Sequence, residues 1–251
     1  MPADPKCPHC HGSGWVYINR DGVTSTSKCD CLKEGRAASV EANAAIPPLY
    51  RQSSFENFKL PVDNPIANRA LASVLLVVRS YARDFPATDK RGLLLVGDPG
   101  TGKTHLAVAA LRSLIGKGFE GLFFDYKTLL DRIRTSYDPM SGQPDKEVYR
   151  SVLDAEVLLL DDLGAHRIND WVEDTVTSII THRCNQQKPL IATTNLPDAD
   201  FGSNMMEKSP IGVQTRRGLS EAIGSRAHSR LFEMCRVVRM PQVEDYRKRI
   251  R

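Results

Sequence analysis

The chain has 251 residues, enough for one well-buried α/β domain with a small appendage and too few for a second large domain. Its 34 Lys and Arg stand against 30 Asp and Glu, a formal charge of +4 that permits contact with nucleic acid without demanding it. No apolar run approaches the length of a membrane span and residues 1–5 lack a secretory pattern, so no membrane association is expected, the chain reads as cytoplasmic, and its six cysteines read as thiols.

Cys7-x₂-Cys10 and Cys29-x-Cys31 flank residues 15–18, Asp21-Gly22 and Val23-Thr24, a pattern that predicts a hairpin with a tight turn. Four converging thiolates predict a structural Zn²⁺, because so short a segment has too little core to fold without a cross-link. His9 and His11 are spare donors, and the tight Cys-x-Cys arm leaves an iron–sulfur cluster as the alternative. Residues 35–45 read as a helical connector that ends at the breaker Pro47-Pro48, which divides the chain into units of 1–45 and 46–251.

Helical spacing of apolar residues predicts a helix over 63–85, followed by a buried strand over 93–96. Further helices are predicted over 106–114, 127–137, 146–153, 171–185 and 219–234, and further strands over 121–124, 157–160, 190–194 and 236–239. That alternation predicts an α/β fold: a mostly parallel five-stranded sheet covered by helices on both faces, three layers in all. Residues 202–218 look like extra sequence ahead of the last helix, and Cys184 and Cys235 read as ordinary core residues.

Between the 93–96 strand and the next helix stands Gly97-Asp98-Pro99-Gly100-Thr101-Gly102-Lys103-Thr104, a phosphate-cradling loop. Its glycines let several amides turn inward as an anion nest, to which the opening helix adds its positive end. Lys103 reaches the β- and γ-phosphates of ATP as a point charge, and the Thr104 hydroxyl ligates the Mg²⁺ that bridges them. Asp161 and Asp162 follow a buried strand, where Asp161 serves the metal and Asp162 orients and polarises an attacking water. Asn195 ends the following strand, where its amide can hold both the water and a γ-phosphate oxygen, although an Asn before Leu196-Pro197 is also ordinary turn chemistry.

These blocks resemble AAA+ P-loop ATPases, with Asn195 at the sensor-1 position. The segment Ile223-Gly224-Ser225-Arg226-Ala227-His228-Ser229-Arg230-Leu231, together with Ile46-Pro47-Pro48-Leu49-Tyr50-Arg51 and Phe55-Glu56-Asn57-Phe58, resembles DnaC/DnaI-type helicase loaders and their IstB relatives. The resemblance implies that Arg230 is an arginine finger acting on a neighbouring subunit, hence self-association, with Arg226 either a helper or part of a solvated helix face. It also implies no full C-terminal helical lid, since few residues follow the 236–239 strand. Asp162 stands where many AAA+ enzymes have Glu, which implies slow hydrolysis, stimulated by DNA or a partner.

Tyr126, Lys127, Arg132, Arg134 and Tyr137 offer aromatic and basic side chains for single-stranded DNA, against the plainer reading of a charge-bearing amphipathic helix. The resemblance implies a loader that places a hexameric DnaB-type replicative helicase on single-stranded DNA during replication initiation, with its cysteine module contacting the helicase. An IstB-like transposition ATPase that binds duplex DNA and activates a transposase is the alternative. A third reading is a zinc-dependent adaptor whose nucleotide site only stabilises the fold.

Overall fold

The computed structural model describes residues 5–20, 23–29, 31, 40–135, 146–198, 206–209 and 212–246. Near the N-terminus β1 (Trp15–Arg20) pairs antiparallel with β2 (Val23–Lys28), so the expected hairpin is present, while Asp21 and Gly22 lie outside the described residues. Residues 40–43 are helical and 35–39 fall outside the described residues. A short 3₁₀ turn over Pro48–Tyr50 follows, started by proline, whose fixed φ suits a helical first turn.

α1 (Pro65–Asp84) begins where Asn64 caps it, its side chain accepting from the Ala67 amide at 3.0 Å, and its Leu71, Val74, Val78 and Tyr81 line one buried stripe. β3 (Gly92–Val96), α2 (Lys103–Gly116), β4 (Gly121–Asp125), α3 (Tyr126–Thr135), α4 (Lys146–Asp154) and β5 (Val157–Asp161) then alternate. After them come α5 (Asp170–Asn185) and β6 (Leu190–Thr194). β3, β5 and β6 are buried along their whole length, as continuous aliphatic runs require inside a parallel sheet.

The sheet is five-stranded with order β4-β5-β6-β3-β9, every neighbouring pair parallel, where β9 is Cys235–Arg239. Successive side chains of β3 point to opposite faces. Leu93 and Leu95 join an apolar layer with α1 and α2, and Leu94 and Val96 join a second layer with α3, α5 and the helices after β6. Because β6 separates β3 from β5, the C-terminal ends of three strands meet at one rim, the place where open α/β sheets put their ligands.

One expectation fails in this region. The single helix over 219–234 is two helices, α6 (Leu219–Ile223) and α7 (Ser225–Met234), broken at Gly224, whose φ of +84° a helix cannot contain. Ahead of them, part of the extra sequence forms a small antiparallel hairpin, β7 (Met206–Ser209) with β8 (Gly212–Thr215).

Candidate nucleotide and metal sites

The loop from Gly97 to Thr104 leaves β3 and enters α2, as its sequence predicts. Gly102 caps α2 with φ +93°, a conformation that turns successive amides to one side and that a side chain would resist. Lys103 is 5 % exposed, and its Nζ donates to the Asp98 carbonyl at 2.8 Å, while Thr101 Oγ1 donates to the same oxygen at 2.9 Å. The loop thus holds its own lysine beside the anion nest. The chain beyond β9 folds back over it: Tyr246 donates its amide to Gly100 O at 3.1 Å, and the Asp245 carboxylate lies where a Cβ on Gly100 would stand.

Asp161 and Asp162 leave β5 beside this loop. Thr104 Oγ1 donates to Asp161 Oδ1 at 2.9 Å, which brings together the two groups expected to share a cation. Burial raises the pKa of the Asp161 carboxyl; the Asp162 and Asp125 charges add to the rise, and hydrogen bonds from Thr193 and Thr104 oppose it. Thr193, fully buried on β6 and absent from the sequence-based site, donates Oγ1 to Asp161 Oδ1 at 2.6 Å and accepts the Asp162 amide at 3.0 Å. A Thr just before the Asn195 strand end was the available signal.

Asp162 has φ +55°, in the left-handed region that Asp tolerates better than most residues. The turn aims its carboxylate at Asn195, whose Nδ2 donates to Asp162 Oδ1 at 2.8 Å. A cavity of about 490 Å³ opens on these groups, within the usual range for a small-molecule site. Lys103, Thr104, Asp161, Asp162, Asn195 and Tyr246 are among the residues that line it.

Arg230 does not line that cavity. It stands on the outer face of α7 with its side chain 46 % exposed and paired to Glu233 at 2.6 Å, and Arg226 is exposed on the same short helix. α7 is tied back to the rim by His228, whose Nε2 donates to Asp198 Oδ2 at 2.6 Å, three residues beyond Asn195. Arg216, in the extra sequence, comes within 3.8 Å of Asp98 on the phosphate loop, a contact no local pattern announces.

The nucleic-acid reading of α3 needs correction. Tyr126 is 1 % exposed and packs with Leu129, Leu130 and Ile133, so it cannot stack on a base. Its spacing from them already marks the buried face. Lys127, Arg132 and Arg134 are exposed, Arg132 with its guanidinium 5.8 Å from the Phe124 ring centroid, and Tyr137 lies outside the described residues.

At the other end of the chain the sulfur atoms of Cys7, Cys10, Cys29 and Cys31 all lie within 4.8 Å of one another. Cys7 and Cys29 are 3.6 Å apart and Cys10 and Cys31 3.4 Å, near the roughly 3.8 Å sulfur spacing of a tetrahedral thiolate zinc site with Zn–S of about 2.3 Å. Burial raises the Cys10 thiol, but the Gly14 amide and the Cys31 thiol outweigh it and the net is a drop to about 7. The donor set fits Zn²⁺. His9 and His11 are exposed and outside the cluster, while Cys184 is half-buried and Cys235 buried, each apart from it.

The parallel sheet, the glycine-rich loop and the two aspartates at its rim define an AAA+-type ATPase domain. The chain belongs to the IstB-like ATP binding protein family, whose sequence profile matches residues 35–249. It is 25 % identical over 222 residues to the uncharacterized protein YqaM of Bacillus subtilis (strain 168), covering 85 % of this chain and 62 % of YqaM. It is 21 % identical over 187 residues to the replicative helicase loader DnaC of Escherichia coli (strain K12), covering 72 % of this chain and 73 % of that protein. Among solved structures, a crystal structure of the DnaC helicase loader superposes with a TM-score of 0.61 at 30 % identity, covering 78 % of this chain and all of that one. Among the described residues, no helix is long and apolar enough to cross a membrane.

Proposed function

We propose that this chain is an ATP-dependent loader that places a hexameric DnaB-type replicative helicase on single-stranded DNA in the cytoplasm. Residues 1–45 form the helicase-contacting zinc module and 46–251 the motor. The observation that carries the reading is the pairing of a complete nucleotide rim with a four-thiol hairpin ahead of it, in a chain 30 % identical to a DnaC loader of known structure. An IstB-type transposition ATPase accounts for the rim but gives the hairpin no task.

In the motor, the loop amides and Lys103 would hold the phosphates, and Thr104 and Asp161 would hold a Mg²⁺ ion, which would supply positive charge to the phosphoryl group in transfer. Asp162, held by Asn195, orients the attacking water and accepts its proton. Its carboxylate is a methylene shorter than Glu, which supports slow turnover suited to a switch that DNA or the helicase accelerates. Arg230 faces outward, as a finger for a neighbouring subunit must, and there its planar charge stabilises the γ-phosphate transition state.

The full chain should form a stable complex with a ring helicase, read as complex mass by light scattering, and should gain ATPase activity when single-stranded DNA is added. Failure to bind any ring helicase, together with filament formation on duplex DNA, would transfer the assignment to the transposition class.

A further inference from the structure

Beyond β9 the chain runs along the phosphate loop. The Met240 amide donates to Val96 O at 2.8 Å, and Met240, 3 % exposed, fills the place that a Cβ on Gly97 would take. Farther on, Asp245 lies against Gly100 and the Tyr246 amide donates to Gly100 O at 3.1 Å. We propose that Tyr246 is a nucleotide-contacting residue: its ring packs on the nucleoside of ATP or ADP, and the strap of residues 240–246 that carries it helps retain the bound nucleotide. The inference rests on the ATP-binding reading of the rim and extends it to a segment outside the expected site.

Three observations carry it. Tyr246 lines the cavity that Lys103, Thr104, Asp161, Asp162 and Asn195 also line, so a nucleotide seated among those groups meets it. It lines as well a smaller recess that borders the same Gly100 and Gly102, with Phe58, Leu71 and Val243 among the other walls, so it stands beside the nucleoside in either space. Second, Tyr246 is 38 % exposed and Leu49, which lines the same larger cavity, 81 % exposed. Apolar surface of this kind on a cavity wall is what a flat, uncharged base or a ribose covers, whereas the phosphates have Lys103 and the loop amides. Third, the strap is anchored. Met240 is buried, Val243 packs against the apolar layer formed with α1 and α2, and Tyr246 is bonded to the loop at Gly100.

An aromatic ring against a base or ribose contributes through buried area and stacking, whatever the number of phosphates. ATP and ADP share the nucleoside, so the contact holds both alike. The hydrogen bond from the Tyr246 amide to Gly100 joins the strap to the loop, and a ring covered by the nucleoside keeps that bond closed for longer.

The test is calorimetric titration of the full chain as wild type, Tyr246→Ala, Tyr246→Gln and Tyr246→Phe with ADP and a non-hydrolysable ATP analogue, with melting curves to confirm folding. Loss of the ring should weaken binding about five- to a hundredfold in the Ala and Gln variants, by the same factor for both nucleotides, while Phe, which keeps the ring, should bind within about twofold of wild type. Exchange of the Tyr246 amide should slow with either nucleotide. Unchanged affinity in the Ala and Gln variants, a loss confined to the ATP analogue, or a loss in Phe as large as in Ala overturns the inference while the ATPase assignment stands. Wild type that binds neither nucleotide overturns the assignment, and the inference with it.

Discussion

The cysteine hairpin and the five-stranded sheet hold themselves together by different means. Among the described residues Val16 is the one partly buried apolar side chain packed against the four thiols, and Trp15 and Tyr17 on β1 are 50 % and 80 % exposed. The sheet is the reverse case: Leu93, Leu94, Leu95, Leu158 and Leu159 have no solvent contact, and two helical layers close over them. Burial of that extent needs no cross-link, whereas the described part of the hairpin has almost no apolar core besides its four thiols. The two regions should therefore fail independently.

Removing the metal tests that separation with the largest effect. A thiolate zinc site contributes about 10–16 kcal/mol of apparent binding free energy, so chelation or Cys7→Ser or Cys29→Ser should melt the hairpin and release one zinc per chain, measured by elemental analysis and amide exchange. The sheet's melting temperature and the basal ATPase rate should hold. Protein purified without chelator and carrying no metal would break the comparison at its first term.

Perturbing the motor should leave the zinc in place. Arg230→Ala should bind ATP normally yet lose assembly-stimulated hydrolysis by about 10³-fold or more, the range known for arginine fingers. Mixing it with Lys103→Ala should restore part of that activity, because one interface can then pair an intact loop with an intact finger. No rescue in the mixture would place Arg230 outside the neighbour's site. Asp162→Asn should keep ATP binding and lower the hydrolysis rate about 10²- to 10⁴-fold, the usual contribution of a general base. An unchanged rate would take the water-activating role from Asp162.

A smaller effect sharpens the picture inside the sheet. Because burial raises the Asp161 pKa, the folded state holds a proton more tightly than the unfolded chain does between the ordinary carboxyl value and the raised one. Stability of the nucleotide-free protein should therefore fall as pH rises through that window. Asp161→Asn should remove this slope and raise the melting temperature at neutral pH while abolishing Mg²⁺-dependent hydrolysis. A variant melting below wild type at pH 7 would show that the Thr104 and Thr193 hydrogen bonds outweigh the desolvation.

What the sequence made legible follows from how local each signal is. The phosphate loop, the Asp161-Asp162 strand end and Asn195 are short runs whose chemistry depends on immediate neighbours; Pro99, Gly100, Gly102, Lys103 and Thr104 of the loop line one cavity with Asp161, Asp162 and Asn195, while Gly97, Asp98 and Thr101 do not line it. Strand order is not local, so a parallel sheet could be expected but not the insertion of β6 between β3 and β5. Gly224 sits inside an apolar pattern that continues on both sides, which hid the break between α6 and α7; a glycine within a helical run was the warning. Tyr126 misled because its type suggests stacking, while its spacing from Leu129, Leu130 and Ile133 assigns it to the core. Arg216 was illegible, since its contact with Asp98 spans more than a hundred residues and depends on the hairpin that delivers it.

The left-handed backbone at Asp162 bears on how this chain could be altered to work faster. Lengthening the side chain to Glu would bring the carboxylate closer to a bound water, but it would place a residue less tolerant of positive φ in a turn held by Thr193 and Asn195. A gain in reach would be offset by strain in the turn, and relaxing the turn would swing the group away from its sensor. Tempo and geometry are coupled at one dihedral angle, so a quicker variant requires rebuilding residues 161–164 as a unit rather than exchanging a single acid.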